Sequence, residues 1–211
     1  MIKLHHLERS RSMRILWLLE EIGVPYELIT YQRDPQTMRA PEALKKTHPL
    51  GKSPILEIDG EIIVESGAMV ELLINKFAPQ LAPTTNSTEY GKYLQWLHFA
   101  ESTAMFPLIY RMFGAKLTEQ PNILGKFADS DISCVFGYIE REIGDKQFIV
   151  GNKLTGADFM LTFTIEFLQM LGALDQFPNI KRYYNGFNRL ASWQRAMEIE
   201  QHCRTKGFSF T

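Results

Sequence analysis

Two serines and three arginines lie close together near the start of the chain, at the entrance to a predicted helix. The hydroxyls belong to Ser10 and Ser12, and the positive charges belong to Arg9, Arg11 and Arg14. A hydroxyl donor, a nearby cation and the positive end of a helix each stabilise an anion. The segment therefore has the groups that are needed to stabilise a negatively charged reactant.

A second candidate region surrounds a predicted β-hairpin. Residues 55–58 and 61–64 are rich in Ile and are joined by Asp59-Gly60, which is a strong hairpin signal. Pro54 stands directly before the first strand, although proline has no backbone N–H to donate. It can be a trans proline that opens an edge strand, or it can mark a functional turn.

Glu65 and Ser66 follow the hairpin, and Ser66 begins the next predicted helix. The free N–H groups and the positive dipole end of a helix attract anions, so this point could bind a carboxylate. The alternative is that Ser66 serves only as the N-cap of the helix. The residues alone leave both interpretations open.

Hydrophobic spacing predicts the elements that position these groups. Strands are predicted at residues 2–7 and 26–31, with a helix between them, and such a βαβ unit requires parallel strands. A short helix near residues 42–46, the hairpin and a helix over residues 66–76 follow. The order βαβ and then ββα predicts a thioredoxin-like α/β domain, to which we assign residues 1–80.

Residues 77–88 are rich in Pro, Thr, Asn and Ser and predict a linker. Residues 88–211 show only helical spacing, so an all-α domain is predicted there. Its first helix should be long and kinked at Pro107. The later helices are predicted at residues 123–143, from 155 onward, 180–190 and 192–200.

Thr155 and Asp158 have the spacing of a capping box, with Asp in place of the usual Glu or Gln. The residues after this cap are apolar on every face, which predicts a helix buried at the centre of its domain. We therefore assign Thr155 and Asp158 a structural role.

Composition excludes several classes of function. The chain has 211 residues and a formal net charge of -1, which argues against general binding to nucleic acid or to anionic membranes. We find no secretory signal and no apolar run long enough to span a bilayer. Cys134 and Cys203 form no CxxC pair, which favours the cytoplasm and predicts no metal site; Cys134 is expected in the core.

Four segments point together to a known family. They are RSRSMRILWLLEE, HPLGKSPILEIDG, ESGAMVELL and LTGADFMLT, and their order and spacing cover nearly the whole chain. The sequence resembles the cytosolic glutathione transferases, in particular serine-type members that are theta-like or similar to microbial and fungal enzymes. This resemblance implies glutathione as co-substrate, no metal, a homodimer and a role in detoxification.

The resemblance also implies how glutathione binds. A cis bond before Pro54 would turn the backbone of Ser53 outward, where it could pair with the cysteinyl part of the tripeptide. Ser66 would bind the γ-glutamyl carboxylate, and Glu65 would accept from the ammonium group. The residues implied near the glycyl end are Lys52 and His48.

The implied chemistry is thiol activation, because the thiolate is the nucleophile. Ser10 is our preferred donor to the sulfur, whereas Ser12 is the alternative and is otherwise expected to cap the helix. Backbone N–H groups could replace either serine. Phe106, Tyr110 and Phe113 are candidates for binding a hydrophobic electrophile between the domains, although aromatic residues at this spacing are commonly core residues.

Three functions remain compatible with these residues. The first is an active glutathione transferase. The second is a regulatory or carrier protein that binds glutathione with little conjugating activity. The third is a glutathione-dependent peroxidase or isomerase, which would need the same thiolate and a different substrate pocket.

Overall fold

The computed structural model describes residues 1–117 and 123–204. Its contacts divide into two compact units: Met1–Pro79 together with the segment that begins at Asn188, and Gln80–Phe187. The first unit thus includes a C-terminal helix that the predicted domains, residues 1–80 and 88–211, assign to the second. The domain limits themselves stay a prediction.

A four-stranded sheet forms the centre of the first unit. Its strands are β1 (Ile2–Leu7), β2 (Tyr26–Tyr31), β3 (Ile55–Ile58) and β4 (Glu61–Ile63). They lie in the order β2-β1-β3-β4, with β1 and β2 parallel and the other two pairs antiparallel. This is the predicted thioredoxin-like topology, and the strand predictions are confirmed to within one residue.

The described residues also form helices in both units. In chain order they are α1 (Ser12–Ile22), α2 (Ala43–Thr47), α3 (Ser66–Phe77), α4 (Tyr90–Phe99), α5 (Met105–Leu117), α6 (Ile123–Ile143), α7 (Gly156–Met170), α8 (Pro178–Gly186) and α9 (Ala191–Cys203). Helix α1 ends at Gly23, whose φ of 74° lies in the left-handed region that favours glycine.

Helix α1 is the main packing element of the first unit, because it contacts β1, α3 and α9. Trp17 of α1 meets Trp193 of α9 edge to face, with ring centroids 5.0 Å apart. The indole N–H of Trp17 donates to Ser192 Oγ at 3.1 Å. Large buried aromatic pairs of this kind dominate core energetics, so α9 is firmly attached to the helix that carries Ser12.

Helix α7 forms the core of the second unit and packs against α4, α5 and α8. Phe159, Leu161, Ile165 and Leu168 have no exposed surface. The prediction of a buried helix with an apolar surface all round is therefore confirmed. Thr164 is also buried, and its hydroxyl donates to the carbonyl of Ala100 at 2.9 Å.

Three sequence predictions for the second unit were wrong. The predicted long kinked helix is two helices, α4 and α5. Pro107 lies in the first turn of α5, where a backbone N–H would have no hydrogen-bond partner within the helix, so proline is tolerated there. The helix predicted at residues 180–190 ends at Gly186, after which Phe187–Arg189 forms a short 3-10 turn. Cys134 is exposed on α6 rather than buried.

Candidate active site

Ser10 lies at the N-terminus of α1 and is 6% exposed. Its hydroxyl oxygen accepts from the backbone N–H of Ser12 at 3.2 Å and lies 2.8 Å from Ser12 Oγ. Its carbonyl accepts from Met13 N at 3.1 Å. The Ser10 hydroxyl is therefore placed at the positive end of the helix, as an anion-binding role requires.

The prediction that Ser12 caps α1 is wrong. Arg11 occupies the N-cap position and its side chain makes no capping hydrogen bond. The Ser12 hydroxyl points back toward β1, where it lies 2.9 Å from His6 Nδ1, 3.1 Å from Leu7 O and 3.2 Å from Leu7 N. Ser12 is fully buried, so it supports Ser10 from inside the protein.

The residue before Ser10 has an unusual backbone conformation that two charged side chains stabilise. Arg9 has φ 50°, in the left-handed region. Its N–H donates to Glu200 Oε1 at 2.9 Å, and its carbonyl accepts from Arg33 Nη2 at 3.0 Å. Because both peptide groups are bonded, the chain enters Ser10 from a defined direction.

The peptide bond between Ser53 and Pro54 is cis, as the resemblance implied. The Ser53 hydroxyl donates to the carbonyl of His5 at 2.9 Å and accepts from Leu7 N at 3.1 Å. Leu7 N–H is thus shared between Ser53 and Ser12, which joins the loop before Pro54 to the start of α1. With its hydroxyl used inside, Ser53 offers its backbone as the candidate group for a ligand.

The start of α3 is the third part of this site. Glu65 is exposed and has φ 72°, a conformation that costs about 1–3 kcal/mol for a residue other than glycine and that clusters at ligand-binding sites. Ser66 is 5% exposed, and its hydroxyl accepts from Arg14 Nη1 at 3.0 Å. The buried Arg14 charge therefore strengthens the positive potential at the N-terminus of α3.

A buried carboxylate lies beneath the Ser10 loop. Glu200 is 2% exposed, and its Oε2 is 2.7 Å from His6 Nε2. Burial opposes ionisation, but the hydrogen bond and charge of His6, the Arg9 N–H and the Arg204 charge outweigh it and lower the pKa of Glu200. The loop is thus anchored by an ionised acid from the far end of the sequence.

The other predicted ligand residues are not joined to this network. Lys52 is exposed, and His48 Nδ1 accepts from Leu50 N within its own loop at 3.4 Å. Phe106, Tyr110 and Phe113 belong to the second unit and are 54%, 39% and 53% exposed. They are therefore surface residues rather than core residues.

The predicted capping box of α7 is present. Asp158 Oδ2 accepts from the N–H and the hydroxyl of Thr155 at 2.8 and 3.0 Å. Asp158 Oδ1 also accepts from Ile149 N at 3.0 Å and from the Tyr183 hydroxyl at 2.6 Å. Asp158 therefore connects three segments of the second unit, which is more than a cap alone would do.

His6, Arg33 and Glu200 were not predicted from the sequence as site residues. A signal for Glu200 does exist, because it follows Trp193 and Ala196 at helical spacing on the buried side of α9. His6 likewise shares a face of β1 with Leu4, by the alternation of a strand. A titratable residue at a core position is the feature that would have identified both.

A cis-proline loop before an antiparallel hairpin, a serine at the start of α1 and an all-helical second unit together define a class of protein. They indicate a two-domain transferase whose N-terminal domain has the thioredoxin-like fold. Family models for the N-terminal and C-terminal domains of glutathione S-transferase match residues 1–75 and 98–191. The chain belongs to the glutathione S-transferase family.

Individual relatives support this assignment. Glutathione S-transferase 3 of Schizosaccharomyces pombe is 34% identical, and the match covers 97% of this chain and 86% of that protein. Glutathione S-transferase 1 of Saccharomyces cerevisiae is 26% identical over 93% of this chain and 94% of that protein. A crystal structure of a glutathione S-transferase from Actinobacillus pleuropneumoniae superposes with a TM-score of 0.88 at 32% identity, covering 95% of this chain and 93% of that one.

The described residues contain neither a candidate metal site nor a candidate membrane span. Within residues 1–117 and 123–204, His, Cys, Asp and Glu form no group of three or more that could hold a metal ion. In the same part of the chain, no helix is both long enough and apolar enough to cross a membrane.

Proposed function

We propose that this glutathione S-transferase converts the thiol of glutathione to a thiolate at Ser10 and adds it to hydrophobic electrophiles. The observation that carries this proposal is the set of hydrogen bonds that joins Ser10, Ser12, Leu7 and Ser53 at the N-terminus of α1. A thiol with a pKa near ~8.5 is only slightly ionised at neutral pH. Lowering that pKa by about two units requires about 2.7 kcal/mol of preferential thiolate stabilisation.

Three features supply such stabilisation in this proposal. The Ser10 hydroxyl donates to the sulfur, the N-terminus of α1 contributes its positive dipole end, and Arg9 and Arg11 add positive charge nearby. A charge-assisted hydrogen bond contributes about 1.5–3 kcal/mol, so one hydroxyl supplies much of the required energy. Ser12 is less suitable as the donor because it is fully buried and bonded to β1.

The rest of the tripeptide binds along the same edge in this proposal. The backbone of Ser53 pairs with the cysteinyl part, in the manner of an added strand. The γ-glutamyl carboxylate binds at Ser66, where the start of α3 and the Arg14 charge attract it, and Glu65 accepts from the ammonium group. Lys52 and His48 are the proposed contacts for the glycyl end.

The electrophile is proposed to bind on the exposed aromatic face of α5. Phe106 and Tyr110 meet edge to face with ring centroids 4.3 Å apart, and Phe113 lies one turn further on. An exposed apolar surface of this kind suits hydrophobic partners. We also propose a cytoplasmic homodimer that serves detoxification, for which light scattering should give twice the mass of the chain.

Replacing Ser10 by Ala tests the proposed donor. We expect turnover of a chloronitrobenzene with saturating glutathione to fall by about tenfold or more, because the hydrogen bond to the thiolate is lost. Affinity for glutathione should change little, since the backbone of Ser53 and the Ser66 site remain. The measurements are steady-state conjugation rates and calorimetric binding of glutathione.

Ser133→Ala is the matched control, because Ser133 is an exposed serine on α6 that bonds only to the carbonyl of its own helix at Asp129. Unchanged turnover in Ser10→Ala would reject Ser10 as the donor. Retention of the wild-type protein on immobilised glutathione without conjugation would instead favour the carrier function. Turnover of peroxides or isomerisable substrates alone would favour the third alternative.

A further inference from the structure

The guanidinium of Arg33 joins two loops of the first unit. Arg33 is partly buried and lies just after the end of β2. Its Nη2 donates to the carbonyl of Arg9 at 3.0 Å, and its Nη1 donates to the carbonyl of Met38 at 3.0 Å. Arg9 directly precedes Ser10, whereas Met38 lies in the loop between β2 and α2. One side chain therefore connects the loop of the proposed catalytic serine to the loop that follows β2.

Both of these carbonyl groups belong to residues with a left-handed backbone. Arg9 has φ 50° and Met38 has φ 61°. This conformation is uncommon for residues other than glycine, and it persists only where the surrounding structure holds it. Four of the described residues other than glycine have a positive φ, and the other two are Asp59 and Glu65. A single guanidinium thus binds the carbonyls of two of the four, which indicates that its hydrogen bonds maintain both loop conformations.

The carbonyl of Arg9 determines how the chain enters Ser10. A peptide group is planar, so the Arg9 C=O, the Ser10 N–H and the Ser10 Cα lie in one plane. A hydrogen bond that fixes the direction of this C=O therefore fixes the plane from which the Ser10 side chain projects. Ser10 Oγ then lies 3.2 Å from Ser12 N, at the start of α1. Without the bond from Arg33, this plane can rotate and move the hydroxyl away from that position.

The loop after β2 is a compact turn over residues 34–39. Asp34 N–H donates to the carbonyl of Arg39 at 2.9 Å, and Met38 N–H donates to the carbonyl of Asp34 at 2.8 Å. The Asp34 carboxylate accepts from the backbone N–H of Thr37 at 2.7 Å. These hydrogen bonds position the Met38 carbonyl, so the conformation of the turn is coupled through one guanidinium to the loop before α1.

Arginine is suited to this connection and lysine is not. A guanidinium stays protonated in proteins, donates from five N–H groups in a rigid fork and accepts no hydrogen bond. A backbone carbonyl only accepts, so the direction of both hydrogen bonds is unambiguous. A lysine ammonium is a compact point charge on a flexible stem, and it does not reproduce the spacing of two donors on a planar fork.

We propose that Arg33 is a positioning residue for thiol activation. It holds the Arg9 carbonyl, and thereby the Ser10 hydroxyl, in the orientation in which the hydroxyl donates to the glutathione sulfur. Because the same guanidinium binds Met38, the conformation of the turn over residues 34–39 influences the reaction at Ser10. This role rests on the proposed function, in which Ser10 is the donor to the sulfur.

Arg33→Lys is the direct test. Turnover of a chloronitrobenzene at saturating glutathione should fall by about fivefold, because a slightly displaced hydroxyl stabilises the thiolate less well. Calorimetric affinity for glutathione should stay within about twofold, because the proposed contacts at Ser53 and Ser66 are unchanged. Turnover equal to that of the wild type would overturn the inference. An equal loss of turnover and affinity would also overturn it, because that is the result of general damage.

Arg182→Lys is the matched control. Arg182 Nη2 also donates to two backbone carbonyls, Gly144 O at 2.6 Å and Lys146 O at 3.1 Å, and Gly144 has φ 48°. All three residues belong to the second unit and are not among the proposed glutathione contacts. Turnover of this variant should equal that of the wild type. If it falls as far as that of Arg33→Lys, the effect is not specific to the Ser10 loop and the inference is overturned.

A double-mutant cycle shows whether Arg33 acts through Ser10. In a Ser10→Ala background there is no hydroxyl to position, so Arg33→Lys should change turnover by less than about twofold. A loss of the same size in both backgrounds would overturn the inference.

Asp34→Ala tests the same connection from an exposed residue. The turn then loses the hydrogen bond from Thr37 N–H to the carboxylate, so Met38 is held less firmly. Turnover should fall by about threefold with glutathione affinity unchanged, and Asp34→Ala should add nothing to the effect of Arg33→Lys. The control is Asp145→Ala, which removes an exposed acid of the second unit. Equal turnover in Asp34→Ala and Asp145→Ala would overturn the coupling.

A crystal structure of Arg33→Lys gives a readout that is independent of activity. We expect Arg9 to leave the left-handed region and Ser10 Oγ to move away from Ser12 N. A positive φ at Arg9 with an unmoved Ser10 would overturn the inference even if turnover is low. Failure of the wild type to conjugate any electrophile would instead reject the proposed function, and the crystal structure would still decide whether Arg33 positions Ser10.

Discussion

Asp158 in the second unit and Glu200 in the first are both carboxylates that are almost fully removed from solvent, at 0% and 2% exposure. Each accepts from at least one backbone N–H and from two side-chain donors. Burial raises the pKa of Asp158 despite its four hydrogen bonds, whereas the pKa of Glu200 is lowered. Two carboxyl groups that are buried to nearly the same extent therefore have pKa values shifted in opposite directions.

The difference lies in the charge of the partners. The donors to Asp158 are Ile149 N–H, Thr155 and the Tyr183 hydroxyl, and all of them are neutral. Glu200 has His6 and Arg204 in addition to a backbone N–H. Neutral donors satisfy the hydrogen-bonding capacity of a buried carboxylate, but they only partly compensate its loss of hydration. A cationic donor also stabilises the negative charge directly.

The comparison separates an acid that joins elements of its own unit from one that lies beneath the proposed catalytic serine. Asp158 connects elements within its own unit and has no path of hydrogen bonds to a proposed ligand group. Glu200 is connected to Ser10 through two intervening side chains. Replacing each acid should therefore affect different properties of the protein.

The largest expected effect is that of Asp158→Ala. Removing this carboxylate leaves Ile149 N–H, Thr155 and Tyr183 as buried donors without an acceptor. At about 1–3 kcal/mol for each unsatisfied group, the free energy of unfolding should fall by at least about 3 kcal/mol. Urea denaturation followed by circular dichroism measures this loss.

Asp175→Asn is the control for Asp158→Ala, since Asp175 is 81% exposed and forms only a surface pair with Lys181. Its effect should be within about 1 kcal/mol, as is usual for exposed ion pairs. If both variants lose the same stability, the network around Asp158 has no special structural value and the comparison fails.

Features of this molecule that depend on neighbouring residues could be predicted from the sequence, and features that depend on distant residues could not. The capping box of Thr155 and Asp158 could be predicted from the sequence because its two residues are three positions apart at the start of one helix. The limits of the strands could be predicted because hydrophobic spacing and the Asp59-Gly60 turn are local features of the sequence. The additional bond from Tyr183 to Asp158 required tertiary structure.

The active-site loop shows the same limit more strongly. Ser10 was placed at the start of α1 by its position before a helical pattern. The direction of the Ser12 hydroxyl depends on His6 and, through it, on Glu200, which is 194 residues away from His6 in sequence. Hydrophobic spacing predicts which face of α9 is buried, but it does not identify the strand that this face meets.

A smaller effect is expected from Glu200→Gln on the pH dependence of stability. The folded pKa of Glu200 lies below its ordinary value of 4.5, so its contribution to stability is present above pH 4.5 and is lost as the pH falls below that value. The wild type should therefore lose stability in acid more steeply than Glu200→Gln. Urea midpoints measured from neutral pH into the acid range test this, with Glu198→Gln as the exposed control.

Parallel acid profiles for Glu200→Gln and the wild type would show that the carboxylate is not preferentially ionised in the folded protein. The distinction between the two acids would then be lost. A stability profile that falls more steeply in acid for the variant than for the wild type would mean that the pKa of Glu200 is raised rather than lowered. Only a flatter profile agrees with cationic partners at Glu200.

The smallest expected effect is that of Tyr183→Phe. The ring of Tyr183 packs edge to face on Phe187 with centroids 4.7 Å apart, and this contact does not need the hydroxyl. Asp158 loses one of four donors, so the free energy of unfolding should fall by only about 1 kcal/mol.

The same substitution sharpens the comparison when it is made in the Asp158→Ala background. There the Tyr183 hydroxyl has already lost its acceptor, so removing it should cost nothing and can restore part of the stability. A cost of about 1 kcal/mol in both backgrounds would mean that the hydroxyl acts independently of Asp158. In that case Asp158 would not be energetically coupled to its hydrogen-bond partner Tyr183. The difference between Asp158 and Glu200 would then lie only in the charge of their partners.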